Sequence, residues 1–125
     1  MPIMEFIMRL KKTTKCKACF KENMDRIGRI YLPILLLEKM NIGSEIVLQL
    51  APYKEHLSPS GYISRFVKDK ETAKKIRFTE GIEEKGEIGC IYINKNILGH
   101  IGVDHEIAVR IVPPEEYGGA VVDEG

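Results

Sequence analysis

The sequence predicts a mainly β protein with short helices, a pseudo-twofold barrel of six to eight strands built from two copies of a β-β-α-β unit. Three observations predict it. A shift of 61 residues superimposes Gly28–Pro52 on Gly89–Pro113 without a gap. The apolar residues of the two stretches coincide. Each stretch runs from a short β-prone segment through helical spacing and back to strand alternation. The expected domain is residues 1–113, with repeat one at 1–52, a linker at 53–61 and repeat two at 62–113. Residues 114–125 read as an acidic flexible tail.

The repeat explains itself element by element. Gly28/Gly89, Ile30/Ile91, Tyr31/Tyr92, Glu45/Glu106, Ile46/Ile107 and Pro52/Pro113 are identical, and Leu36, Leu37, Met40 and Ile42 fall on Ile97, Leu98, Ile101 and Val103. Gly28 suits a tight turn or bulge that a Cβ would obstruct. Ile30-Tyr31-Leu32 is a short β-prone run. Pro33 is compatible with a first helical turn, and its counterpart Asn94 is a good N-cap. Leu36, Leu37 and Met40 form the apolar stripe of a short amphipathic helix, ended at Asn41-Ile42-Gly43 and at Gly102. Ile46, Leu48 and Leu50, like Ile107, Val109 and Ile111, then line one face of a strand. Upstream, Glu5-Phe6-Ile7-Met8-Arg9 resembles Arg65-Phe66-Val67-Lys68, and Lys17-Ala18-Cys19-Phe20 resembles Lys75-Ile76-Arg77-Phe78. The second copy then has about three extra residues before Gly89. Each half is therefore two or three strands, a short helix and one strand. Half a chain buries little alone, and two halves with complementary apolar faces can close a barrel.

Composition narrows the class. The chain has 125 residues, 44% of them hydrophobic, and a net charge of +1. No apolar run approaches the ~20 residues of a membrane-spanning helix. Neither a membrane nor a secretory signal is read from it, and the expected location is the cytoplasm. Abundant Ile, Lys and Glu with no Trp resemble heat-adapted composition. The charge is unevenly spread. Residues 1–61 hold ten Lys/Arg against six Asp/Glu, a balance of +4, and residues 62–125 hold nine against twelve, a balance of −3. The basic half can meet a polyanion.

Met24-Asp25-Arg26-Ile27-Gly28-Arg29-Ile30-Tyr31-Leu32-Pro33-Ile34 resembles the D-x-x-G-R-[IV]-x-[IL]-P signature of the AbrB/SpoVT/MraZ-like swapped-hairpin proteins. Gly43-Ser44-Glu45-Ile46-Val47 looks like that family's turn into its last strand. Duplication within one chain is similar to MraZ and to the monomeric cradle-loop (RIFT-like) barrels. The second half keeps the apolar frame and has Gly86, Cys90 and Asn94 where the first has Asp25, Arg29 and Pro33. The resemblance implies a cradle-loop barrel and a DNA-binding transcriptional regulator with duplex DNA as partner. It implies phosphate contacts from Arg29, with Arg26 beside it. Arg29 can equally form a local ion pair with Asp25. A second basic group, Arg9, Lys11, Lys12, Lys15, Lys17 and Lys21, places five of its six members on odd positions, hence on one face of a continuous strand. Lys74, Lys75 and Arg77 are its weaker counterpart in repeat two. The expected DNA-binding set is thus Arg9, Lys11, Lys15, Lys17, Lys21, Arg26 and Arg29. The alternative is a monomeric barrel that binds a small ligand or a protein, without DNA and without catalysis. Monomer and homodimer are both compatible with the duplication.

No catalytic residue, metal site or cofactor is assigned. Cys16-Lys17-Ala18-Cys19 is a CxxC, but Cys90, His56, His100 and His105 supply no second pair at zinc-like spacing. The expected state of the cysteines is reduced, on a strand. His100, Asp104 and His105 could hold a metal or act as acid and base, and their counterparts in the first repeat, Lys39, Gly43 and Ser44, do not repeat that chemistry. Neither a phosphate-binding loop nor a nucleophile elbow is present.

Overall fold

The structure, a computed structural model, describes residues 3–53, 55, 57, 58, 60–80, 88–103 and 105–114. Repeat one contributes β1 (Met4–Thr13), β2 (Lys17–Glu22), β3 (Ile30–Pro33), α1 (Ile34–Met40) and β4 (Glu45–Ala51). Repeat two contributes β5 (Tyr62–Glu71), β6 (Lys75–Glu80), β7 (Cys90–Asn94), α2 (Lys95–Ile101) and β8 (Glu106–Val112). Each repeat therefore carries three strands ahead of its helix. No helix among the described residues is long and apolar enough to cross a membrane.

The eight strands form one antiparallel sheet in the order β3-β2-β1-β4-β8-β5-β6-β7. The two repeats meet at its centre, where β4 pairs with β8. Gln49 stands opposite Arg110, its own counterpart 61 residues on, so the pseudo-twofold axis passes through that pair. The outer strands then curl towards each other. Ile27 bridges to Ile93, the Gly28 N–H donates to the Tyr92 carbonyl at 2.7 Å, and the Asn94 N–H donates to the Arg26 carbonyl at 3.0 Å. The result is a nearly closed eight-stranded barrel. Gly28 is required here by proximity: a Cβ on it would lie 2.9 Å from the Cβ of Tyr92.

The interior is filled by matched side chains from both repeats. Phe6, Phe20, Phe66 and Phe78 are fully buried, with Ile30, Leu32, Ile46, Leu48 and Leu50 from one half and Ile91, Ile93, Ile107, Val109 and Ile111 from the other. Each such side chain contributes roughly 1.5–3 kcal/mol by leaving water. The helices close the ends unequally. Ile97, Leu98 and Ile101 of α2 are all buried, but only Leu37 of α1 is. Both helices stop in the left-handed conformation, at Asn41 (φ 60°) and Gly102 (φ 84°), as expected from their residue types. Asn94 precedes α2 as an N-cap residue, but its side chain makes no capping bond.

The strand offsets correct one detail of the internal alignment. β3, α1 and β4 map onto their counterparts with a shift of 61, and β2 maps onto β6 with a shift of 58. β1 follows β2: Met8 faces Glu22 as Phe66 faces Glu80, and both hairpins carry a bulge, at Leu10/Lys12 and Lys68/Lys70. Met8, rather than Phe6, is therefore the counterpart of Phe66. The three extra residues of repeat two fall between β6 and β7.

Candidate functional site

A groove forms where three segments are clipped together by backbone bonds. Thr72 closes the β5–β6 hairpin, its N–H donating to the Lys75 carbonyl at 2.8 Å and its hydroxyl accepting from the Lys75 N–H at 3.1 Å. The Lys95 N–H donates to the Lys74 carbonyl at 2.9 Å, which ties the start of α2 to that turn. The bond from Asn94 to Arg26 ties the end of β7 to the loop after β2. Met24 and Asp25, Ala73 to Lys75, and Asn94 to Asn96 consequently surround an open groove of about 700 Å³. It draws residues from both repeats.

The groove is cationic and polar. Lys74, Lys75 and Lys95 line it, together with the amides of Asn94 and Asn96. Asn94 Oδ1 is buried and has no hydrogen-bond partner among the described residues. Asp25, held at φ 57°, is the one acid lining it among the described residues. Repeat one has the same scaffold with different chemistry. There the Ile34 N–H donates to the Cys16 carbonyl at 2.9 Å, the equivalent clip. The side chains at the matching positions are Lys15, Cys16, Lys17, Pro33, Ile34 and Leu35, with Leu35 77% exposed.

The second candidate surface is the outer face of β1, β2 and β3. Burial alternates so that Phe6 and Met8 point inward and Ile7 and Arg9 outward. Arg9 pairs in register with Lys21, and Arg29 immediately precedes β3, whose first residue Ile30 pairs with Phe20. Arg9 and Lys21 thus form a short basic row across two strands, about 5 Å apart at the backbone, with Arg29 at the entry to the third. At the corresponding places repeat two has Val67, Thr79 and Cys90. The row is partly neutralised: Arg9 Nε lies 2.8 Å from Glu45 Oε2, and Lys21 Nζ lies 3.7 Å from Asp25 Oδ1. Arg29 is exposed and has no ion pair among the described residues. The expected partner of Arg29, Asp25, is taken by Lys21.

The remaining expected phosphate-binding residues are dispersed. The reading of one continuous basic strand fails because the chain reverses after Thr13. Lys11 is the extra residue of the β1 bulge, Lys15 sits in the hairpin turn, and Lys17 begins β2 opposite Pro33. Arg26 is committed elsewhere. Its guanidinium lies 2.5 Å from Glu22 Oε2 and its Cζ 4.8 Å from the Phe6 ring centroid. Burial pushes the Glu22 carboxyl up, but the side chain and N–H of Arg26 and the N–H of Met24 outweigh that and hold it below the usual carboxylate range.

The cysteines are free: Cys19 is buried in β2, and Cys16 is exposed in the turn rather than on a strand. Among the described residues no three His, Cys, Asp or Glu side chains come together as a metal site. His100 is exposed on α2, and His105 precedes β8; His56, Asp104, Gly86 and residues 115–125 lie outside the described residues. The groove was the feature hardest to find in advance. Its signal was the replacement of Pro33-Ile34-Leu35 by Asn94-Lys95-Asn96 inside an otherwise matched apolar pattern.

No family model and no curated protein matches the chain. The likeness to the AbrB/SpoVT/MraZ group therefore rests on residues 24–34 and 43–47 alone. Among solved structures, the chain is similar to the molybdate-bound form of the cytoplasmic molybdate-binding protein ModG. The match has 11% identity and a TM-score of 0.33, and covers 89% of this chain and 96% of that one.

Proposed function

We propose that the protein is a non-catalytic binding barrel that takes a small anionic ligand in the groove between the Met24-Asp25 loop, the β5–β6 turn and the start of α2. The observation that carries this reading is the break in symmetry. One scaffold occurs twice, and only the copy in repeat two has the polar wall of Asn94, Lys95 and Asn96 beside Lys74 and Lys75. Lysine ammonium groups bind oxyanions as point charges, and the amides can fix orientation. Titration calorimetry with inorganic pyrophosphate at ~50 mM salt tests it, since exposed charge pairs are strongest at low ionic strength. Binding is expected, and Lys74→Gln with Lys75→Gln should weaken it about tenfold or more, each lost ion pair contributing up to ~1 kcal/mol. Equal binding by that double variant would remove the groove as the site.

A second reading is duplex DNA on the outer face of repeat one, as the AbrB-like signature implies. The registered pair Arg9 and Lys21, with the exposed Arg29 just before β3, has no counterpart in repeat two and favours it. Each phosphate contact makes affinity more dependent on salt. Fluorescence anisotropy against a duplex should then show affinity that falls between ~50 and ~200 mM salt and a shallower salt slope for Arg29→Ala. No binding at ~50 mM salt excludes this reading and leaves the groove untouched.

A further inference from the structure

Among the described residues, Lys95 is the one groove lysine whose ammonium is already in an ion pair. Its Nζ lies 2.6 Å from Glu71 Oε2, while Lys68 Nζ lies 2.8 Å from Glu71 Oε1. Glu71 ends β5, immediately before the Thr72–Lys75 turn that forms one groove wall. The pair is half exposed, with side-chain exposures of 37% for Lys95 and 45% for Glu71. Exposed pairs of this kind are weak and exchange readily. Repeat one has neither member, since the counterparts of Glu71 and Lys95 are Thr13 and Ile34. The acid and the lysine therefore occur together, and only beside the polar groove.

Resting on the groove reading, we infer that Glu71 is a built-in competitor for Lys95, and that the groove selects phosphate-type polyanions over monocarboxylates. A carboxylate ligand offers Lys95 one charge, which Glu71 already supplies. A phosphate or pyrophosphate brings further charge that Lys74 and Lys75 meet at the same time, so it can displace Glu71 from Lys95. Glu71 then keeps its pair with Lys68. The carboxyl cannot withdraw by taking up a proton near neutrality, because the ammonium groups of Lys68 and Lys95 hold its pKa down to about 2.

The test is calorimetric titration of pyrophosphate and of acetate into the wild type, Glu71→Gln and Glu71→Thr, the last borrowing the residue of repeat one. Removing a like charge a few ångströms from a bound polyanion should tighten pyrophosphate about threefold to tenfold in both variants. Acetate, too weak to measure in the wild type, should become measurable. Lys95→Gln should weaken pyrophosphate and abolish the gain from Glu71→Gln when the two are combined. A purely structural role for Glu71 predicts the opposite sign, since losing two ion pairs would loosen the groove and weaken binding. Pyrophosphate binding that is unchanged or weaker in both Glu71 variants overturns the inference while leaving the groove reading standing. No binding by the wild type or by any variant overturns both.

Discussion

Glu22 is almost wholly removed from water at the inner end of β2, and its charge is held there by its own neighbours. One oxygen accepts from the Arg26 N–H at 2.8 Å; the other accepts from Nε at 3.0 Å and lies 2.5 Å from Nη2. Its counterpart Glu80 keeps the same inward place at the end of β6 but a different set of donors: the Tyr62 hydroxyl and the N–H groups of Ile88 and Gly89. The Arg26 guanidinium is thereby engaged by a buried carboxylate on one side and the Phe6 ring on the other. Replacing Glu22 by Gln at neutral pH should cost about 1–2 kcal/mol, the size of a charged hydrogen-bond set with one half-exposed partner. The folded-state pKa is lowered from 4.5, so this stabilisation is complete above that value and fades as pH falls through the folded one. Urea denaturation at pH 7 and pH 3 should therefore show the gap between wild type and Glu22→Gln narrowing in acid; a gap that widens would contradict the bridge.

Among the elements, the strand–helix–strand unit was legible in the sequence because its two copies are gap-free, and a shared apolar frame leaves one solution. The upstream hairpins were less so. Aligning Phe6 with Phe66 in place of Met8 misplaces the strand by two residues, and a two-residue slip keeps every side chain on its own face. An inside–outside pattern is blind to that error; only the partner register, Met8 to Glu22 and Phe66 to Glu80, resolves it. The basic residues failed differently. Odd numbering describes a face only within one strand, and a bulge and a turn intervene before Lys17. The seam between residues 26–28 and β7 was equally hidden, because it joins strands from different repeats. Gly28→Ala tests that seam. Its new methyl must displace the Tyr92 Cβ or the strand behind it, and overpacking of this kind costs about 1–3 kcal/mol. The amides of Gly28 and Asn94, which bond across the seam, should lose hydrogen-exchange protection before those of β4 and β8. Uniform loss across all strands would mean that the seam does not open by itself.

The whole molecule is held together where the two repeats share one sheet, and at its axis that sheet carries a polar pair. Arg110 Nη1 donates to Gln49 Oε1 at 2.8 Å, and its other nitrogens reach the Ser60 carbonyl at 2.8 Å and the Ser60 hydroxyl at 2.6 Å. Gln49 in turn donates to Glu5 at 2.7 Å. Ser60, just before β5, is thereby fastened to β8, and Leu57 packs on Ala51 and Ala108. Gly61 completes the turn into β5 at φ 82°, with no room for a Cβ between Val112 and the Ile111 carbonyl. An exact twofold would place two identical residues opposite each other here. Two glutamines could not clasp the segment joining the repeats, and two arginines would repel, so the sequence difference at this one position gives the axis a direction. Arg110→Leu removes the donor that Gln49 Oε1 now has and releases Ser60, and should cost about 2–3 kcal/mol as a buried polar group loses its partner. Adding Gln49→Leu should recover part of that loss, with a coupling of about 0.5–3 kcal/mol in a double-mutant cycle read by urea denaturation. Additive losses would mean that each residue is held by its other partners, and that the two halves are joined by the apolar strands alone.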